Sequence, residues 1–326
     1  MKLVQLIKSI CALGLSLSAL PAIAQAQYPD RPIKLVVPYA PGGTVDVFAR
    51  ILQPKLEAKL GKPVIIENVP GAGGTIGVAR VAKAAKPDGY TILLGIVSDV
   101  VIAPLTEVNT NYSYRDLEAI APLGTSGIGL VAKPDLGIRS FDDLIAYARK
   151  NPGKLAYGAT GAGSLPALAM EDLKRRANID IQFVPYTSAA KIAQDALGGH
   201  LDIAVSGLPA LLEYIRTGNL SAVGVMSRDR DIGNPDMQSA SESKELLGMD
   251  FYFWTGLFAP KGTPEPIVSK LNASFLAALR EPATEERFKE FGVKISPTST
   301  PAEYAKFVAA SHDSWATIVE ANKKKP

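Results

Sequence analysis

The chain has 326 residues, and its 35 basic and 32 acidic side chains nearly cancel to a formal net charge of +3. That length suggests two domains of roughly 150 residues each, with ample core. The even charge balance, with no like-charge block beyond Lys323 to Lys325, leaves no electrostatic footprint for nucleic acid.

Met1 to Lys8 carries Lys2 and Lys8, Ser9 to Leu20 is apolar, and Ala22-Ile23-Ala24 or Ala24-Gln25-Ala26 supplies small residues for cleavage. This pattern predicts a secretory signal peptide over residues 1–26. Its apolar run is shorter than the roughly 20 residues a spanning helix needs, so the expected product is soluble and exported. The single cysteine, Cys11, lies inside that run, which leaves the mature chain without a thiol nucleophile, a disulfide or a cysteine metal site. Loss of Lys2 and Lys8 takes the net charge from +3 to +1.

Strand and helix then alternate. Ile33 to Val37 is a strand, and Val45, Phe48, Leu52, Leu56 and Leu60 fall at helical spacing until Gly61. Val64 to Glu67 is the second strand, Thr75 to Ala85 a helix and Tyr90 to Ile96 the third strand. Gly127 to Ala132 is a strand, Ser140 with Asp143 opens a helix reaching Arg149, and Leu155 to Gly158 is another strand. The helix Leu165 to Ala177, strand Ile181 to Val184, helix Ala189 to Leu197, strand Asp202 to Val205, a helix opened by Pro209 and strand Leu220 to Met226 follow. Beyond a polar loop, Asp229 to Ser243, come the strand Phe251 to Ala259, a helix marked by Ile267, Leu271, Phe275 and Leu279, and a last helix capped by Thr300, Pro301 and Glu303. Such β and α units imply parallel sheets covered on both faces.

Three glycine loops interrupt the series where a strand passes into a helix: Tyr39 to Thr44, Gly71 to Gly77 and Thr160 to Ser164. Loop amides at a helix N-terminus favour an anion, and a doubly wound sheet places its ligand crevice beyond the carboxyl ends of its strands. Two loops from one sheet and a third from another would line a cleft between domains. The glycines also suit a second reading, tight turns and close packing of helix on strand.

The runs YPDRPIKLVVPYAPGG, VIIENVPGAGGTIG, AKPDGYTILLG, NPGKLAYGATGAGS, FVPY, LGGHLDI and FWTGLFAPKGTP, in this order, resemble the Bug-type receptors of tripartite tricarboxylate transporters over the whole mature chain. The resemblance implies a periplasmic solute receptor of the Venus-flytrap type, two doubly wound α/β domains with a hinged interdomain cleft. Domain one would comprise residues 27–126 and 256–326, and domain two residues 127–255. It implies a monomer without cofactor, enzymatic activity or metal, which closes on a small organic carboxylate and passes it to membrane permease subunits. Carried over, the carboxylate grip falls on Ala40, Pro41, Gly42, Gly43, Thr44 and Asp46 in the first loop and on Gly73, Gly74, Thr75 and Gly77 in the second. Neither loop holds Lys or Arg, so amides and helix dipoles would carry the anion, at about 0.3 to 2 kcal/mol per dipole contact. Asp46 either complements the helix dipole or orients water or a ligand amine, and Tyr39 is either a cleft wall or a core residue.

In domain two the candidates are Gly161, Gly163, Ser164, Tyr186, Thr187, Ser188 and Ser206. Ala167, Thr187-Ser188 and Ser206-Gly207 stand where the family more often has histidine, a Lys-Gly pair and acidic or amide residues, which removes polar bulk from the far end of the site. Ser98 and Asp99 add polarity in domain one, where small neutral residues are usual. One reading gives the ligand an amine, ring nitrogen or hydroxyl within reach of Asp99; the other makes Asp99 an exposed helix N-cap. The bends are expected near Ser126 to Gly127 and Trp254 to Gly256, with Phe253 and Trp254 either filling the hinge core or stacking on ligand.

A rival reading is an exported dinucleotide- or phosphate-binding enzyme, because Gly71-Ala72-Gly73 with Gly77 is a loosened fingerprint and Asp99 lies about 20 residues on. The glycine spacing departs from GxGxxG, and this is not the first strand. No GxSxG occurs, and the two histidines, His200 and His312, sit in a turn and on the last helix.

Overall fold

The computed structural model describes residues 28–107, 109–298 and 300–323. The expected signal peptide lies outside them. The apolar runs become strands β1 (Ile33–Val37), β2 (Val64–Asn68), β3 (Thr91–Ile96), β4 (Leu117–Ala132), β5 (Ala156–Thr160), β6 (Gln182–Tyr186), β7 (Ile203–Gly207), β8 (Ser221–Val225), β9 (Tyr252–Pro260) and the short β10 (Lys294–Ile295). The helices that flank the site are α1 (Thr44–Leu60), α2 (Thr75–Ala79), α3 (Ala103–Thr106), α4 (Phe141–Lys150), α5 (Leu165–Ala177) and α6 (Ala189–Leu197).

Helix α1 shows how sequence sets these elements. Val45, Phe48, Leu52, Leu56 and Leu60 form its buried face, and Gly61 ends it in the left-handed conformation, φ 69°, donating its N–H to the Glu57 carbonyl at 2.9 Å. Each fully buried Phe or Leu of that face contributes about 1.5–3 kcal/mol. The expected helix from Thr75 is shorter, because α2 passes at Arg80 into a wider π-type turn, Arg80–Ala84.

The strands pair in the order β2-β1-β3-β9-β4-β7-β5-β6, with β8 and β10 also on β4. Here the sequence expectation of parallel sheets needs correction. The pairs β1·β2, β1·β3, β5·β6 and β5·β7 are parallel, whereas every pairing made by β4 or β9 is antiparallel. The cause is that the chain passes between its halves inside strands. The 16-residue β4 leads out and β9 leads back, so they lie side by side in opposite directions, with Thr125 opposite Trp254 and Ser126 opposite Phe253. The expected strand from Gly127 is only the far half of β4.

Successive residues of a strand face opposite ways. On β9, Phe253 faces the side on which the loops converge, while Tyr252 and Trp254 face away, toward Tyr304 and Phe307 of the last helix (Pro301–Lys323). Trp254 thus fills core, its Nε1–H donating to Ser311 at 2.9 Å.

Candidate functional site

The halves are closed on one another. The Thr44 hydroxyl donates to the Gly207 carbonyl at 3.3 Å, 163 residues away in sequence, and Gly207 is so near that a Cβ there would lie 2.4 Å from Thr44 Oγ1. Gly163 likewise abuts Thr106 and Glu107 at the end of α3, and Gly42 faces Ala190. Between these contacts a small cavity remains, with about 40 Å³ open to the centres of water molecules, room for about three waters. Its first-half wall is Tyr39, Ala40, Gly43, Thr44, Val45, Ile96 and Ser98, and its other wall is Thr160, Pro166, Ser188, Ala189, Ser206, Gly207 and Phe253. A larger hollow of about 460 Å³ lies behind the same hinge strands, against Tyr252 and Trp254. The cavity is the stronger candidate because helix N-termini from both halves meet there.

Those N-termini differ between the halves. Helix α1 begins after Gly43 and α2 after Gly74, and neither has a side-chain cap. Helices α5 and α6 are capped by their own serines: Ser164 Oγ accepts from the Ala167 amide at 3.4 Å, and Ser188 Oγ from the Lys191 amide at 3.3 Å. An uncapped N-terminus holds donors and a partial positive charge for an outside acceptor. Ser98 Oγ, also in the cavity wall, is buried without a hydrogen-bond partner.

Asp46 lies beneath the first loop, 2% exposed. Its carboxylate accepts from the Gly42 amide at 2.9 Å, from Arg50 Nε at 2.8 Å and Nη2 at 3.1 Å, and from Asn68 Nδ2 at 3.0 Å. Burial pushes its pKa up, but these hydrogen bonds outweigh burial and hold it below the ordinary carboxylate value. Its lone pairs are engaged within the fold, so Asp46 shapes the loop and does not face the cavity. Asn68, which also donates to the Tyr39 carbonyl at 3.0 Å, ties the end of β2 to the first loop.

The second loop sits one layer back. Gly71, Ala72, Gly73 and Gly74 all have positive φ, and Ala72 at 45° is a rare conformation for a residue with a side chain. The Tyr39 hydroxyl donates to the Gly73 carbonyl at 3.2 Å, so its ring stands between this loop and the cavity. Gly74 permits this packing: at φ 103°, an added Cβ would lie 3.0 Å from the Asp99 Cβ and 3.1 Å from the Tyr39 hydroxyl. Gly77 lies against Pro38 and the Val69 carbonyl, and Thr75 donates its hydroxyl to Ala72 O at 2.9 Å.

Of the residues singled out in sequence, the cavity gathers Tyr39, Ala40, Gly43, Thr44, Ser98, Ser188 and Ser206. Pro41 and Gly42 are exposed at the loop tip, Thr187 is exposed, and Gly161 meets nothing within 4 Å. Tyr186 turns its hydroxyl to Asp195 at 2.9 Å. The exposed-cap reading of Asp99 does not hold. Asp99 is 0% exposed; Oδ1 accepts the Ile96 amide at 2.9 Å, and Oδ2 has no partner. Burial pushes its pKa up to about 8, against the Ile96 amide and the nearby Tyr39 hydroxyl, which pull it down. Phe253, expected either to stack on ligand or to fill the hinge core, lines the cavity, as does Thr160 of the third glycine loop; Val45, Pro166 and Ala189 escaped the sequence reading as cavity residues, and the only available signal was that they adjoin the glycine loops or a helix start. No group of three or more His, Cys, Asp or Glu gathers as a metal site among the described residues.

The model of the tripartite tricarboxylate transporter family receptor matches residues 48–323. Protein BugT of Bordetella pertussis is 36% identical over 298 residues, which cover 90% of this chain and 89% of that protein. The solved structure of the periplasmic binding protein BugD superposes with a TM-score of 0.85 at 32% identity, covering 90% of this chain and 98% of BugD. MatC from Rhodopseudomonas palustris, solved with bound malate, gives a TM-score of 0.82 at 30% identity over 90% of this chain and 100% of its own.

Proposed function

Because this chain belongs to the tripartite tricarboxylate transporter receptor family, a family of binding proteins and not of enzymes, we propose that it is a periplasmic receptor for a small organic carboxylate. In this reading the leader is cleaved on export, the receptor works as a monomer, and the loaded form is handed to membrane permease subunits. The two halves are separate domains that hinge where Ser126 on β4 faces Phe253 on β9.

The observation that carries the reading is the uncapped N-terminus of α1 opening on a cavity beside the unpartnered Ser98 hydroxyl. A carboxylate there accepts the first-turn amides of α1 and the Ser98 O–H, while Arg50 already neutralises the nearby Asp46. Ser206 and Ser188 close over it from the second half. Gly73, Gly74 and Thr75 complete the grip for longer acids once Tyr39 swings aside. The malate bound by MatC supports the ligand class. Calorimetric titration with malate, adipate and propionate, beside glucose and putrescine as non-acids, tests it. Saturable binding of an acid is expected; binding of only the sugar or the amine overturns the reading.

A further inference from the structure

Behind the cavity wall lies a buried carboxyl group that the proposed grip leaves without a role. Ile96 and Ser98 both line the cavity, and Asp99 follows Ser98 and turns its Oδ1 back onto the Ile96 amide, 2.9 Å away. Its side chain therefore stands one residue's thickness from the anion site. The groups around it come from several elements. Tyr39, from the first loop, gives its hydroxyl to Gly73; Tyr112, from the segment before β4, gives its hydroxyl to the Asp99 backbone carbonyl at 2.5 Å; and Tyr304, from the last helix, has a buried hydroxyl with no partner. Gly74 packs on its Cβ and Gly95 on its Oδ1. Burial pushes all three tyrosine hydroxyls up, with the charge of Asp99 adding to the effect, so none of them is ionised. Among the described residues no cation acts on Asp99; the Ile96, Val100 and Asp99 amides and the Tyr39 hydroxyl pull its pKa down without outweighing burial, and none of them reaches Oδ2 in full hydrogen-bond geometry.

An ionised carboxylate in such a place lacks the partners that a buried charge needs, and it would repel a second anion across a thin apolar wall. Resting on the carboxylate reading above, we infer that Asp99 is a neutral carboxylic acid whenever the cleft holds an organic anion, so that the receptor takes up a proton together with its ligand. Burial pushes Asp99 up to about 8 even against the hydrogen bonds that lower it. An anion next door raises it further, and by reciprocity protonation of Asp99 tightens the anion. Asp99 is thus a positioning residue that restricts loading to conditions in which it is protonated.

The test uses whichever of malate, adipate and propionate raises the melting temperature most. Its dissociation constant is measured by calorimetry from pH 6.5 to 9.5, where the acid itself is fully ionised, in two buffers of different ionisation enthalpy. The wild type should weaken about tenfold between pH 7 and pH 9 and take up a proton on binding near pH 8.5. Asp99→Asn, whose amide imitates the neutral acid, should bind as tightly as wild type at pH 7 and stay flat to within about twofold. A flat wild-type profile without proton uptake overturns the inference while leaving the carboxylate reading intact. An unchanged pH dependence in Asp99→Asn does the same. If none of the three acids binds at any pH, the carboxylate reading falls first. Should Asp99→Asn not fold, proton uptake by the wild type decides alone.

Discussion

Two buried aspartates flank the same pair of glycine loops and meet opposite fates. Asp46, 2% exposed, accepts from the Gly42 amide, Arg50 and Asn68. Asp99, 0% exposed, has one oxygen on the Ile96 amide and the other bare. Burial pushes both up; partners reverse it for Asp46 and leave Asp99 at about 8. Asp46 has the Arg50 cation beside its hydrogen bonds, whereas Asp99, more deeply enclosed, has hydrogen bonds from neutral groups alone, and these do not outweigh its burial. At the first loop the outcome is a fixed charge pair that braces the turn, and behind the second it is a group that titrates.

Removing each group should separate the two roles. Asp46→Ala should cost about 3 kcal/mol in urea unfolding, because it leaves the Gly42 amide and the Asn68 side chain without their acceptor and frees Arg50. Gly74→Val forces a branched side chain into φ 103° against Asp99 and Tyr39, at about 2 kcal/mol, and should also weaken acid binding in calorimetry. Asp99→Asn should instead raise stability at pH 7, by about 1 kcal/mol, because a buried group with a bare oxygen no longer has to stay protonated.

The slopes with pH sharpen the contrast. The folded-state pKa of Asp46 is depressed, so its contribution is present above the unfolded value of 3.8 and is lost as pH falls through the folded value. For Asp99 the folded value is raised from 3.8 to about 8, so between those values the unfolded chain releases a proton that the folded chain keeps. Stability then falls as pH rises across that window and levels above it. Urea midpoints from pH 3 to 9 should lose the rising limb at low pH in Asp46→Ala and the decline toward pH 8 in Asp99→Asn. The smallest effect belongs to Thr44→Val, which deletes the 3.3 Å bond to Gly207 that bridges the closed halves. It should raise the dissociation constant of a bound acid about threefold, worth about 0.7 kcal/mol.

Much of the fold was legible in sequence, because apolar runs and glycine punctuation mark the strands and loops directly. The strand crossing was not. The first half of β4, Leu117–Ser126, follows a short capped turn at Tyr114–Asp116 and is interrupted by Pro122 and Gly124, and its pairing with β9 is a tertiary event. At the site, the loops could be read from Gly42-Gly43 and Gly73-Gly74, but a sequence does not say which residues face a cavity once two halves close. The i, i+4 spacing of Asp46 and Arg50 held a clue to their ion pair, whereas the Asn68 contact had none. Asp99 was noticeable as an acid in an odd place, yet only packing shows that it lies behind the wall.

The central claim is that an organic carboxylate docks at the N-terminus of α1. The most direct measurement is an amide ¹⁵N–¹H titration of the protein with the acid that binds tightest, comparing wild type with Gly43→Val. Gly43 lies in the cavity wall with only the Ala40 carbonyl near an added Cβ, at 3.5 Å, so the variant should keep its fold and melting temperature. Docking at α1 predicts the largest shifts at Gly43, Thr44, Val45 and Ser98 in wild type and none that saturate in Gly43→Val. Saturable shifts that spare those residues, or that persist unchanged in the variant, would contradict it.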